Sequence, residues 1–320
     1  MRRREFITLL CGTAIAWPIA GRAQQPAAVP RIGMLTTADR EPFWGLFVAE
    51  LGALGYADGR NIALMFRSAE GKSGLLPDLA AELVRLKVDI IVANQTPAVL
   101  AAKQATGTIP IVMAGAGDPL GTGLIASFSR PGGNVTGMAS ATWELTGKTI
   151  ELIREILPAA SRVAVLANAA DLFTRTFLGE IELAARVKGI RLQPIQVRGV
   201  EEFDAAFAAM EREKANAVIV QPSLPRQRAI DLALKHRLPS VSPTAAFTAA
   251  GGLISYSANV RELYAKAAIY VDKILKGQKA ADLPVEVSTR FELRINLKTA
   301  KALGLVIPPT LLARADEVIE

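Results

Sequence analysis

The sequence predicts an α/β protein of two doubly wound lobes, with a ligand cleft between them and a multi-strand hinge. Three observations lead there. Short runs rich in Ile and Val, such as Val88 to Ala93 and Ile109 to Ala114, end in polar turns and lead into helix starts, as strands covered on both faces of a parallel sheet do. The strand–helix alternation runs from Arg31 to about residue 140 and then begins again. The two halves also match locally. Ile91 to Pro97, a helix, and Ile109 to Met113 resemble Ala217 to Pro225, a helix, and Leu238 to Ser242. The Pro-to-Pro distances are 13 residues (97 to 110) and 14 (225 to 239), a match too short to establish duplication.

Taken in order, the first half reads as a strand at Arg31 to Leu35 and a helix from about Pro42 to Leu54, stopped by Gly55. A strand at Asn61 to Arg67, a helix at Leu75 to Leu86 and the two apolar runs follow. Thr96 and Asp118, each followed by Pro, predict N-caps with Pro at the first helical position. Arg130 to Asn134 is a tight turn into a short strand, Val135 to Gly137. The second half gives helices over Leu145 to Leu157, Phe173 to Lys188 and Glu201 to Glu213, and one ending near His236. Its strands are Val163 to Ala167, Ile190 to Val197, Ala217 to Val220 and Leu238 to Ser242. After a short strand at Leu253 to Ser255, apolar residues at Val260, Leu263, Tyr264, Ala267, Ala268, Val271, Ile274 and Leu275 mark a helix stopped by Gly277. Strand character over Leu283 to Leu297 and a short helix at Lys298 to Leu303 end the chain, and a segment this late is expected to cross between the lobes. The expected division is 31–140 plus about 251–288 for lobe one, and about 141–250 plus 289–320 for lobe two.

Residues 1–23 read as a secretory signal peptide: Arg2-Arg3-Arg4, an apolar run Ile7 to Ala20, and small residues before a cleavage expected after Ala23. The paired arginines before Phe6-Ile7 also resemble a twin-arginine signal. The apolar run is too short to span a bilayer, and Leu10 precedes Cys11 where lipoprotein processing wants a small residue. Residues 24–30 form a linker, and a periplasmic location follows. Of 37 basic and 30 acidic residues the leader holds four Arg and one Glu, leaving 33 and 29, a net charge of +4. No basic cluster with interleaved aromatics remains, so nucleic acid is not an expected partner. The only cysteine, Cys11, lies in the leader, and the only histidine is His236, at a predicted helix C-terminus. No histidine or thiolate zinc site, G-x-S-x-G elbow, Walker A loop or dinucleotide fingerprint is present, and neither cofactor nor metal is expected.

The candidate site lies at the carboxyl ends of the strands, the edge where open α/β sheets bind ligands. Lobe one offers Thr36, Thr37, Asn94, Gln95, Thr96 and the Gly117-Asp118 loop; lobe two offers Asn168, Gln221, Ser223, Ser242 and Thr244. Hydroxyls, amides and helix N-termini suit a carboxylate or neutral polar ligand, and Asp118 could hold an ammonium. Trp44, Trp143, Phe173 and Tyr256 are aromatic candidates, Trp44 reading better as core. Thr96, Asp118 and Ser223 also read simply as helix caps.

Several stretches together resemble the periplasmic substrate-binding proteins of ABC transporters, nearest to the tryptophan/tyrosine-type (TrpX-like) group. They are the Arg-Arg-Glu-Phe-Ile leader, Arg31-Ile32-Gly33, Thr96-Pro97-Ala98, Ile109 to Val112, Gly117-Asp118-Pro119 with Gly123-Leu124, Arg130 to Gly137, Leu283 to Glu286, and Ile295 to Ala300 with Leu303-Gly304. The resemblance implies a type I periplasmic binding-protein fold with three hinge strands, a small-molecule ligand in the cleft, and an ABC permease as partner and only link to the membrane. The chain departs from the group at two ligand loops: Asn94-Gln95 replaces small residues before Thr-Pro, and Ala169 to Leu172 replaces a more polar stretch. The expectation is therefore a non-catalytic exported receptor for a small polar or carboxylate-bearing ligand, among them amino acids and aromatic acids. An exported isomerase or lyase on the same fold, or a sensor for a membrane-bound regulator, are the alternatives.

Overall fold

The apolar runs become strands covered on both faces, as their lack of alternation requires. A computed structural model describes residues 29–320 except 38, 39 and 42. The expected leader and most of the linker lie outside the described residues. In chain order the first half holds β1 (Arg31–Thr36), α1 (Phe43–Ala53), β2 (Ala63–Ser68), α2 (Leu76–Arg85), β3 (Ile90–Asn94), α3 (Thr96–Ala105), β4 (Ile111–Ala116) and β5 (Val135–Ala139). The second half holds α4 (Thr142–Ile156), β6 (Arg162–Asn168), α5 (Thr174–Val187), β7 (Arg191–Val197), α6 (Phe203–Arg212), β8 (Ala217–Val220), α7 (Arg226–Lys235), β9 (Ser240–Ser242), α8 (Ala245–Ala249) and β10 (Ile254–Ala258). The tail adds α9 (Val260–Leu275), β11 (Glu286–Val287), β12 (Phe291–Asn296), α10 (Leu297–Leu303), α11 (Pro309–Leu312) and β13 (Glu317–Ile319).

Two sheets result, ordered β11-β5-β4-β3-β1-β2 and β13-β12-β10-β9-β8-β6-β7. The first five strands of each lobe therefore follow one plan, 2-1-3-4-5, a doubly wound order whose switch point lies between its first and third strands. The local match in the sequence falls on equivalent elements, β3–β4 and β8–β9. In lobe one, α2 and α3 cover one sheet face while α1 and α9 cover the other. In lobe two, α4 and α5 oppose α6 and α7. The apolar stripe read for α9 is its buried face, with Leu263, Tyr264, Ala267, Ala268 and Val271 buried and Asn259 capping the start through Glu262 N at 2.7 Å.

Three differences from expectation have physical reasons. No helix follows Asp118-Pro119; residues 119–122 are turns, because the Asp118 carboxylate accepts from Gly121 N at 2.8 Å and closes a tight turn instead. Thr96 is not a cap: Gln95 occupies that position, and Thr96 Oγ1 accepts from Gly117 N at 3.0 Å, tying two strand-end loops together. Strand β10, expected in lobe one, pairs with β9 and β12 in the second sheet, and the chain returns to lobe one after it, at Asn259.

The lobes are joined at three crossings, Ser140-Ala141, Asn259 and Ser288 to Arg290. Backbone bonds lace them together, from Ser288 N to Ala139 O at 3.0 Å and from Asn259 N to Arg290 O at 2.9 Å. Ala141 is fully buried yet lies in the left-handed region at φ 52°, ψ 23°, which costs an L-residue about 1–2 kcal/mol.

The Arg-Pro-Gly-Gly-Asn-Val-Thr-Gly run ends on a glycine that the sheet requires. Gly137 pairs with Met113 at φ 114°, and a Cβ there would stand 2.5 Å from Met113 O and 2.6 Å from Met113 N. Gly137→Ala should lower unfolding free energy by about 2–4 kcal/mol, read in a urea melt. A midpoint equal to wild type would show that the β4–β5 pair accepts a side chain there.

Candidate functional site

At each switch point the residues ending the lobe's first and third strands are hydrogen-bonded to each other. In lobe one Thr37 Oγ1 donates to Gln95 Oε1; in lobe two Asn168 N donates to Gln221 Oε1 at 2.8 Å. The two loops face one another, and Gln95 Nε2 reaches Pro222 O of the other lobe at 3.2 Å. Gln95 holds this position at φ 70°, ψ 154°, a region open almost only to glycine and worth about 1–3 kcal/mol of strain. Phe173 packs so tightly on Gly117 that a Cβ on the glycine would lie 2.8 Å from its ring, so the lobes touch across the cleft.

Between them lies a cavity of about 80 Å³. Lobe one contributes Asn94, Gln95 and Gly115, the first crossing contributes Ser140, the helix α9 contributes Val260, Leu263 and Tyr264, and lobe two contributes Thr142, Pro222, Pro243, Thr244, Ala245, Ser257 and Ala258. A smaller compartment of about 30 Å³ adjoins it, walled by Thr96, Gly117, Asp171, Phe173, Gln221 and Ser223 and sharing Gln95, Ser140 and Thr142. The helices α3 and α4 both start at these walls, and neither start is capped by a side chain.

Among the described residues, Asp171 supplies the only charged side chain in either wall. It is 6% exposed, and its carboxylate accepts from Ser223 Oγ at 2.7 Å, Gln221 Nε2 at 2.9 Å and Phe173 N at 3.0 Å. Burial raises its pKa above the usual carboxylate range; the three donors pull the other way without overcoming it, and no cation stands among the influences on it. Asp171 also borders an outer groove of about 780 Å³ that runs past Leu172, Arg175 and Glu182. Burial likewise raises the pKa of Tyr264, with Arg226 and Asn94 acting the other way. Ser257 Oγ is buried and has no hydrogen-bond partner among the described residues, a state that costs about 1–3 kcal/mol.

Of the residues expected at the site, Asn94, Gln95, Thr96, Gly117, Gln221, Ser223, Thr244 and Phe173 line the two compartments. Thr37 and Asn168 stand behind them, positioning Gln95 and the Gln221 loop, and Ser242 Oγ bonds to Val220 O at 2.7 Å. Asp118 is elsewhere: its second oxygen accepts from Thr176 Oγ1 of the other lobe at 3.1 Å, which makes it a tie across the cleft rim. Tyr256 points away from the cavity to pack on Phe291, because on β10 it faces opposite to Ser255 and Ser257. Trp44 packs on Phe66, and Trp143 on Phe128. Sequence reasoning missed Asp171, Tyr264 and Ser257. The stripe on α9 signalled only that Tyr264 is buried.

The chain matches the model of the ABC transporter substrate binding protein family over residues 44–319. It belongs to that family. Among relatives, this substrate-binding protein is 27% identical over 265 residues to a tyrosine-binding protein of Clostridioides difficile (strain R20291), covering 81% of this chain and 75% of that protein. Among solved structures it is similar to a conserved domain protein of Vibrio cholerae (TM-score 0.82, 26% identity, 91% of this chain and 99% of that one). It is equally similar to an ABC domain from Streptococcus pneumonia in complex with L-Trp (TM-score 0.81, 26% identity, 91% and 99%). The two parallel-sheet lobes are those of the type I periplasmic binding-protein fold.

Because Asp118 forms a partly exposed tie and lines neither compartment, Asp118→Ala should weaken ligand binding by less than about tenfold, the worth of one such hydrogen bond. A larger loss in calorimetric titration would return Asp118 to the ligand.

Proposed function

We propose that this substrate-binding protein is the exported receptor of an ABC importer and carries an amino-acid-like ligand between its lobes. One observation carries the reading: Asp171 is a buried carboxylate with three hydrogen-bond donors and, among the described residues, no cation beside it. A buried charge without a counter-charge is costly, and an ammonium entering the small compartment removes that cost. The uncapped starts of α3 and α4, with the Ser140 and Thr142 hydroxyls, then suit the ligand's carboxylate, since backbone N–H groups and the helix dipole favour an anion. The amino acids named for the tyrosine-binding relative and the L-Trp complex have this same pair of charged groups.

Closure follows from the geometry. Bonds such as Gln95 to Pro222 and Asp118 to Thr176 form only when the lobes meet, and a ligand bonded to both lobes adds to them. The laced crossings allow rotation with little change in either sheet. In this reading the leader directs the chain to the periplasm, the closed form is presented to a permease, and the ligand is released unchanged. No helix among the described residues is long and apolar enough to cross a membrane, so contact with the bilayer runs through the permease.

The test is Asp171→Asn. Amine ligands should bind about 100-fold or more weakly in calorimetric titration, the effect of removing one partner of a buried charge pair. The ligand-free variant should melt no lower than wild type at pH 7. The sign follows from the raised pKa: the folded protein holds the Asp171 proton more tightly than the unfolded chain. Ligand-free stability therefore falls as pH rises from the ordinary carboxylate range through the raised value, and the amide escapes that loss. Conversely, ligand affinity should fall in weak acid, as the carboxylate protonates. Unchanged affinity in the amide variant would remove Asp171 from ligand recognition, and consumption of the ligand on incubation would point to an enzyme.

A further inference from the structure

Space and hydrogen bonding in the larger compartment point to the kind of side chain the ligand carries. An apolar cavity of about 150 Å³ is known to admit benzene; the compartment beyond the Asp171 site has about 80 Å³. Two residues of α9 take up the rest. Leu263 reaches to within 3.3 Å of the place where a Cβ on Gly115 would stand. Tyr264 is 6% exposed, and its ring packs on that of Phe43 at a centroid distance of 5.0 Å. It cannot swing aside without breaking that contact. A larger groove of about 520 Å³ lies past Ala245 and Val260, but Glu41, Arg261 and Glu292 line it, poor company for an indole or phenol ring.

The same compartment holds the unpartnered Ser257 hydroxyl. Its neighbour on the same face of β10, Ser255, is satisfied by Thr248 Oγ1 at 2.6 Å, so the strand does not itself leave serines unpaired. Ser257 is 2% exposed and stands in the cavity wall.

We propose that the receptor selects a small amino acid with a short, hydrogen-bonding side chain, which meets Ser257 Oγ, and excludes aromatic ones. This rests on the amino-acid reading of the site and narrows it. Its chemistry differs from that named for the tyrosine-binding relative, in keeping with the altered loops at Asn94-Gln95 and Ala169 to Leu172.

The experiment is calorimetric titration of the purified protein with L-serine, L-threonine, L-alanine, L-tyrosine and L-tryptophan. Serine or threonine should bind about tenfold tighter than alanine, the worth of one added hydrogen bond, and at least about 100-fold tighter than tryptophan. Ser257→Ala should erase the advantage of serine over alanine while leaving the melting temperature unchanged or higher, an outcome that a purely structural serine would not give. Leu263→Ala, which widens the wall, should raise tryptophan affinity relative to serine. Tryptophan or tyrosine binding as tightly as serine overturns the size selection but leaves the receptor standing, provided that Asp171→Asn abolishes that binding. An equal loss for serine and alanine in Ser257→Ala overturns the role of Ser257. Silence toward all five ligands overturns this proposal together with the amino-acid reading.

Discussion

The site depends on one unusual constraint: a carboxylate, Asp171, kept inside the protein with no positive partner among the described residues. Its donors decide how the second lobe's binding edge is built. Gln221 Nε2 bonds Asp171, so Gln221 Oε1 is left to receive Asn168 N and Thr174 Oγ1. Turning the amide over would set an NH2 group against two donors, so the network admits one orientation. The loop after β6, the first turn of α5 and the loop after β8 are thereby held as one unit. Ser223 and Phe173, bonded to the same carboxylate, also wall the compartment. The same carboxylate thus shapes the compartment that it borders.

Lobe one carries its strain in a different form. Gln95 and Ala141 both lie at positive φ, and each immediately precedes a helix that starts at the cavity wall. The other such non-glycine residues, Glu70, Lys87, Lys214 and Arg237, line neither compartment. Strained backbone persists where surroundings over-determine it. Around Gln95 these are its bonds to Thr37 and, across the cleft, to Pro222. Ala141 also belongs to the first of the three crossings, so the start of α4 and the hinge are one piece of chain. Movement of the lobes must change the place where the carboxylate of an amino acid would rest.

Much of this architecture was legible in one dimension. Buried parallel strands need unbroken apolar runs, so β3, β4, β6 and β8 announce themselves. The α9 stripe and the Gly277 stop define that helix, and the polar loops at strand ends identify the binding edge, because only there do doubly wound sheets leave helix starts open. What misled was local chemistry with two outcomes. Asp118 before Pro119 suits a helix cap and an Asx turn equally, and Gly121 decided for the turn.

The sequence by itself determined two lobes of alternating strands and helices, with polar loops at the carboxyl edges of their sheets. Only the tertiary structure decided which residues face the cleft. Tyr256 and Ser257 are adjacent, and a strand turns neighbours to opposite sides, so the choice between them rested on the pairing of β10 with β9 and β12. Asp171 and Asp118 are both loop carboxylates in sequence. One is buried by Phe173 and the Gln221 loop, and the other stays at the rim beside Thr176, because burial belongs to the packing of distant segments and has no local signal.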